Sequence, residues 1–146
     1  MSTNNNGSIF TGTWTYRSFL NNPDLTVTPD NLLFGDGNIR IDPAPDGVFK
    51  GLIYGPGWQL DLFGSIQYGN PATVWFRGTG IVGGAEWIYD YLGYLVPTIP
   101  EGKNQVPAFV GSVTRAIPHP GDQGATNPAG VVCSFYAVKN PPVSGK

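Results

Sequence analysis

Read for the spacing of its apolar positions, the chain shows no stretch with hydrophobic residues at helical intervals for three turns. Gly or Pro interrupts nearly every window of helix length. What recurs is a run of roughly 8–12 residues rich in Val, Ile, Phe, Tyr, Trp and Thr and bounded by turn residues. Eight such runs can be counted, over residues 9–20, 32–42, 48–54, 58–68, 72–82, 86–96, 105–117 and 130–139. In the fourth, Trp58, Leu60, Leu62, Gly64, Ile66 and Tyr68 alternate with Gln59, Asp61, Phe63, Ser65 and Gln67, so the first set is expected to face a core and the second solvent.

The punctuation between the runs fits antiparallel neighbours. Gly55-Pro56-Gly57 reads as a tight hairpin, Gly69-Asn70-Pro71 and Gly83-Gly84 as further turns, and Gly35 with Gly37 suggests a bulge in the second strand. Eight short up-and-down strands can close into a barrel, which removes the sheet edges and leaves an interior for side chains or one small ligand. The expected fold is therefore all-β, a single up-and-down antiparallel β-barrel of about eight strands with little or no helix. A β-sandwich is the alternative. The expected domain is one, spanning 1–146, with loose ends at 1–7 and 141–146.

Composition narrows the function classes. Hydrophobic residues make up 40% of the 146 and aromatics 13%, enough for a packed interior, while 21 Gly and 14 Pro are spread along the chain as turn residues. Eight basic against ten acidic side chains form no basic run, so nucleic acid is not an expected partner. A membrane barrel is disfavoured by polar alternates such as Gln59, Asp61 and Gln67, which suit a wet exterior. The first seven residues lack a basic start and an apolar stretch, so a cytoplasmic location is expected. Cys133 has no second cysteine to pair with, and with His119 as the single histidine the chain falls short of any common zinc set. No metal and no cofactor is expected, and Cys133 reads as a buried structural thiol.

Two resemblances attach to short motifs. Gly12-Thr13-Trp14 on the first strand resembles the strand-one Gly-x-Trp of the calycins, the superfamily of lipocalins and avidins, which implies that Trp14 plugs one barrel end. Val82-Gly83-Gly84-Ala85-Glu86 is similar to an avidin run, although here it precedes the sixth strand and not the seventh. Val110-Gly111-Ser112-Val113 resembles the last avidin strand but carries Val113 where the biotin-binding Asp would stand, so biotin is not expected. The stretch Gly78-Thr79-Gly80-Ile81-Val82-Gly83-Gly84-Ala85 is similar to the Gly-rich segment of allene oxide cyclase and dirigent proteins. That family likeness implies an eight-stranded barrel that binds hydrophobic molecules and steers their cyclisation or coupling.

Candidate site residues follow from aromatic density and parity. Trp58, Trp75, Trp87, Tyr89 and Tyr91 are read as lining a ligand cavity, since rings enclose an apolar molecule and Tyr hydroxyls orient it. Tyr16 and Ser18 share parity with Trp14 and would project inward beside them. Simple core packing explains the same rings. Arg77 would face inward if Trp75 does, and would then need a carboxylate such as Glu86 or Asp61; outward, it would lie over aromatic surface. His119, between Pro118 and Pro120, could serve as acid or base at a barrel mouth, though a solitary His in such a loop is ordinarily solvated. Arg115 either supports it or closes the barrel end against Trp14, as the calycin likeness would imply. Glu86 and Asp90 follow the Gly-Gly break, with even spacing that a solvated strand face also explains. Nucleophile elbows, P-loops, His-Glu-x-x-His and dinucleotide fingerprints are absent from the sequence.

The leading expectation is thus the binding of a small apolar or aromatic molecule, a small hydrophobic partner, inside an aromatic-lined barrel cavity. A cofactor-independent isomerase or cyclase of allene-oxide-cyclase type, with Glu86, Arg77 or His119 stabilising charge, is the alternative. An accessory or structural interaction domain without a ligand is the third.

Overall fold

The computed structural model describes residues 9–141, which form a closed eight-stranded antiparallel barrel. The strands are β1 (Gly12–Leu20), β2 (Leu33–Ile41), β3 (Val48–Gly55), β4 (Trp58–Gln67), β5 (Thr73–Val82), β6 (Ala85–Leu95), β7 (Ala108–Arg115) and, after two short strands described below, β10 (Val132–Lys139). Each pairs with its sequence neighbour, and β10 pairs with β1 from Trp14 opposite Lys139 to Leu20 opposite Cys133, closing the cylinder. A single turn of helix, α1 (Pro29–Leu32), precedes β2. The expected loose ends fall outside the described residues apart from Pro141. No helix among the described residues is long and apolar enough to cross a membrane.

Alternation does the sorting along most of the chain. The inward rows run Trp14, Tyr16 and Ser18 on β1, Leu60, Leu62 and Ile66 on β4, Val74 and Phe76 on β5, Tyr89 and Tyr91 on β6, and Phe109, Val113 and Arg115 on β7. The β5–β6 hairpin turns on Gly83 and Gly84, both at positive φ (58° and 84°), the conformation a two-residue hairpin needs and side chains resist. Tyr68, expected inward, lies just past the end of β4 and is exposed, because the strand stops at Gln67 before the turn reverses the chain.

The expected bulge falls between Ser18 and Phe19 of β1, where pairing jumps from Gly35 to Leu33 and leaves Phe34 as the extra residue on β2. Its consequence is local: Phe34 packs against the core cluster at the same end of the barrel as Tyr89.

Between β7 and β10 the chain makes an excursion. Two short strands, β8 (His119–Pro120) and β9 (Thr126–Asn127), pair with His119 opposite Asn127 and are joined by a 3-10 turn over Asp122–Gly124. Backbone bonds from Arg115 N–H to the Val131 carbonyl (2.9 Å) and from Gly130 N–H to the Arg115 carbonyl (2.8 Å) pinch its base.

Candidate functional site at the barrel mouth

The two ends of the barrel are filled differently. At one end Trp14 lies against Phe109 edge to face at 4.8 Å, with Phe10 and Phe49 beside them, and all four rings are fully buried. The Trp14 indole N–H donates to the Phe10 carbonyl at 2.9 Å, so its polar atom is satisfied. This matches the plug expected from the calycin likeness. Lys139, not Arg115, lies over the Trp14 ring, at 5.7 Å from its centroid.

From there a stack of rings runs toward the middle. Phe49, Phe76 and Tyr91 lie nearly parallel, with centroids 4.1 and 4.6 Å apart, and Tyr16 and Phe135 pack on the edge of Tyr91. Beyond Tyr16 and Tyr91 the interior is not filled. A cavity of about 530 Å³ opens at the other end, walled by Phe34, Trp58, Leu60, Trp87 and Tyr89, with Ser18, Arg115 and His119 contributing polar groups. Gly35 lines the cavity beside Ser18, and the missing Cβ of Gly37 lets β2 lie close to the Tyr54 carbonyl and the Trp58 ring.

The polar groups form one chain. Arg115 Nε–H donates to the Tyr89 hydroxyl at 2.8 Å, and that hydroxyl lies 2.8 Å from His119 Nε2. His119 Nδ1 faces the Pro120 carbonyl at 3.0 Å. A carbonyl only accepts, so the neutral ring carries its proton on Nδ1, and Nε2 accepts from the Tyr89 O–H. Trp87 stacks flat on the imidazole, centroids 3.9 Å apart, and fixes its plane. Arg115 Nη1–H also donates to the Pro128 carbonyl (3.1 Å), and the faces of Phe34 and Tyr89 lie 5.2 and 5.7 Å from the guanidinium carbon.

Burial sets the proton affinities here. Desolvation pushes the Tyr16 phenol far above its ordinary range, and burial, with Tyr16 alongside, does the same to Tyr91. For Tyr89 burial also wins, although the bond and charge of Arg115 pull the other way. Burial raises the Cys133 thiol too, as suits a structural cysteine.

The expected site residues divide by face. Tyr16, Ser18, Trp58, Trp87, Tyr89 and Tyr91 all border the cavity. Trp75 does not: Val74 and Phe76 hold the inward positions of β5, which turns Trp75 outward, half exposed at 50%. Arg77 shares its parity and stands outside, forking onto Asp90 directly opposite on β6 at 2.7 and 3.0 Å, not onto Glu86 or Asp61. Glu86 is exposed on the outer face, next to inward Trp87. Neither Arg77 nor Glu86 comes near His119 within the cavity, so that expected catalytic set is not assembled. His119, expected to be solvated, is 3% exposed, because the β8–β9 ladder folds it back over the mouth.

Phe34 is among the lining residues not assigned to the cavity from the sequence, with Ile53, Leu60, Val82 and Val113, and Arg115 takes the first of its two expected roles, beside His119 rather than against Trp14. The Gly35–Gly37 pattern is the sequence signal for Phe34, and the shared parity of Phe109, Val113 and Arg115 on β7 is the signal that Arg115 points inward. No protein-family model, no curated protein and no solved structure matches this chain.

Proposed function

We propose that this protein binds a small apolar or aromatic molecule in the barrel mouth. The observation that carries the reading is the cavity of about 530 Å³ itself, within the size range of small-molecule sites, concave, ring-lined and set off from the filled half of the barrel. A structural domain whose aromatics only pack has no need of such a space, and filling it would stabilise the fold. The calycin-like and allene-oxide-cyclase-like motifs agree with this use of a barrel, but at the level of architecture only.

The test uses two tryptophans of the same size on opposite faces. Saturable binding of naphthyl and alkyl compounds, read by calorimetry, is expected to raise the melting temperature by mass action. Trp87→Ala is expected to weaken binding about tenfold or more, as for a buried aromatic contact, while Trp75→Ala leaves it within about twofold. Equal loss in both variants, or no saturable binding across the panel, contradicts the reading.

One observation favours a second reading, a cofactor-independent isomerase or cyclase of allene-oxide-cyclase type. The Tyr89 hydroxyl is held between a guanidinium and an imidazole at the cavity wall. A Tyr89 O–H turned from His119 Nε2 to an oxygen of a reactive substrate would donate a hydrogen bond to the negative charge developing there, with the Arg115 N–H polarising the phenol oxygen. The outer residues Arg77 and Glu86 have no part in it.

A further inference from the structure

Arg115 is a cation at the wall of an apolar chamber, and among the described residues no carboxylate forms an ion pair with it. Its side chain belongs to a residue only 7% exposed. Of the five N–H groups a guanidinium carries, one is donated to the Tyr89 hydroxyl and one to the Pro128 carbonyl, both neutral acceptors. Among the described residues the ion pairs are Arg40 with Asp42 and Arg77 with Asp90, both outside the barrel. Asp36 is the carboxylate that borders the cavity, and it is exposed at the rim with no ion pair to Arg115. The ring faces of Phe34 and Tyr89 soften the burial of the charge without neutralising it.

A buried guanidinium left without a counter-charge is costly, so a fold that keeps one beside a chamber gains when an anion enters. The planar fork favours a planar two-oxygen partner, to which it can donate two parallel bonds. The remaining walls say what must be attached to that group. Phe34, Ile53, Trp58, Leu60, Tyr91 and Val113 would be left facing water by a small hydrated anion, whereas an apolar body covers them.

Building on the cavity-binding reading above, we propose that the ligand is an anionic amphiphile: an aromatic or aliphatic body with one carboxylate, the carboxylate seated on Arg115 and the body against the rings. Tyr89 and His119 position the guanidinium, since their hydrogen-bond chain runs from Arg115 to the Pro120 carbonyl and leaves the free N–H groups for the ligand.

The experiment compares matched compounds that differ only in the head, 2-naphthylacetic acid against 2-naphthylacetamide, by calorimetry at neutral pH. The acid is expected to bind the wild-type protein about tenfold or more tightly than the amide, the scale set by a buried charge pair. Arg115→Gln is expected to bring that ratio close to one, and Arg77→Gln, on the outer face, to leave it unchanged. Equal affinity of acid and amide for the wild-type protein overturns the proposal and leaves cavity binding standing. So does a preference that survives Arg115→Gln. Binding of neither compound overturns this proposal, and the cavity reading falls with it only if the wider naphthyl and alkyl panel also fails to bind. Should Arg115→Gln not fold, the Arg115 Nε–H resonance of the wild-type protein decides: it is expected to shift saturably with the acid and not with the amide, and an unmoved signal overturns the assignment.

Discussion

The closed end and the mouth of this barrel are built by the same strands, yet one is core and the other container. On β1 the inward row shrinks from Trp14 through Tyr16 to Ser18, and on β7 it passes from Phe109 through Val113 to Arg115. At the closed end Phe10, Trp14, Phe49 and Phe109 fill the cross-section, and the polar atom among them is satisfied by the backbone. At the mouth the rings of Phe34, Trp58 and Trp87 stand apart around glycine, serine and a polar chain. Period-two alternation decides which side chains point inward; their size and polarity along that row decide whether a barrel segment packs or holds something.

The contrast is expected to appear in stability as a graded tryptophan series. Trp14→Ala removes a fully buried ring from the plug and is expected to cost about 3–5 kcal/mol, read by urea unfolding. Trp87→Ala, at a half-buried position over His119, is expected to cost clearly less, under about 2 kcal/mol. Trp75→Ala, on the outer face, is expected to fall within about 0.5 kcal/mol of wild type. A Trp14→Ala loss no larger than that of Trp75→Ala contradicts the division of the barrel into plug and mouth.

A smaller effect is expected in alkali. Tyr16, Tyr89 and Tyr91 all have phenols raised by burial in the folded state. A raised folded pKa means that the folded protein holds the proton more tightly than the unfolded chain. Their contribution to stability is therefore complete below the ordinary tyrosine pKa of about 10 and is lost as pH rises above it. Unfolding monitored by circular dichroism is expected to coincide with a step in phenolate absorbance, and replacing Tyr16 with Phe is expected to shrink that step. Full phenolate formation ahead of unfolding contradicts the burial of these hydroxyls.

Much of this architecture is written in local chemistry. The eight runs lie within a few residues of the eight barrel strands, because alternation and turn residues act over short distances. The inward rows on β1, β4 and β6 could be read by parity alone, and with them Tyr16, Ser18, Trp58, Trp87, Tyr89 and Tyr91. Trp75 lies outside because Val74 and Phe76 take the inward parity of β5, where the Phe76 ring stacks on Phe49; aromatic density by itself does not reveal that parity. Arg77 followed it, and its partner Asp90 is legible only once β5 and β6 are set in register. His119 was unreadable for another reason: its burial depends on a two-residue ladder between β8 and β9, too short to leave a periodic signal. The same holds for Arg115, whose lack of an ion-pair partner among the described residues is a property of three-dimensional placement.

The four tryptophans sample the closed end, the mouth twice and the outer face, and each indole N–H gives its own signal in a proton–nitrogen correlation spectrum. Titration of the wild-type protein with 2-naphthylacetic acid is expected to shift the Trp58 and Trp87 indole signals saturably, with one affinity, while those of Trp14 and Trp75 stay in place. Shifts confined to Trp75, or no saturable shift at Trp58 and Trp87, would contradict a ligand site in the mouth of this barrel.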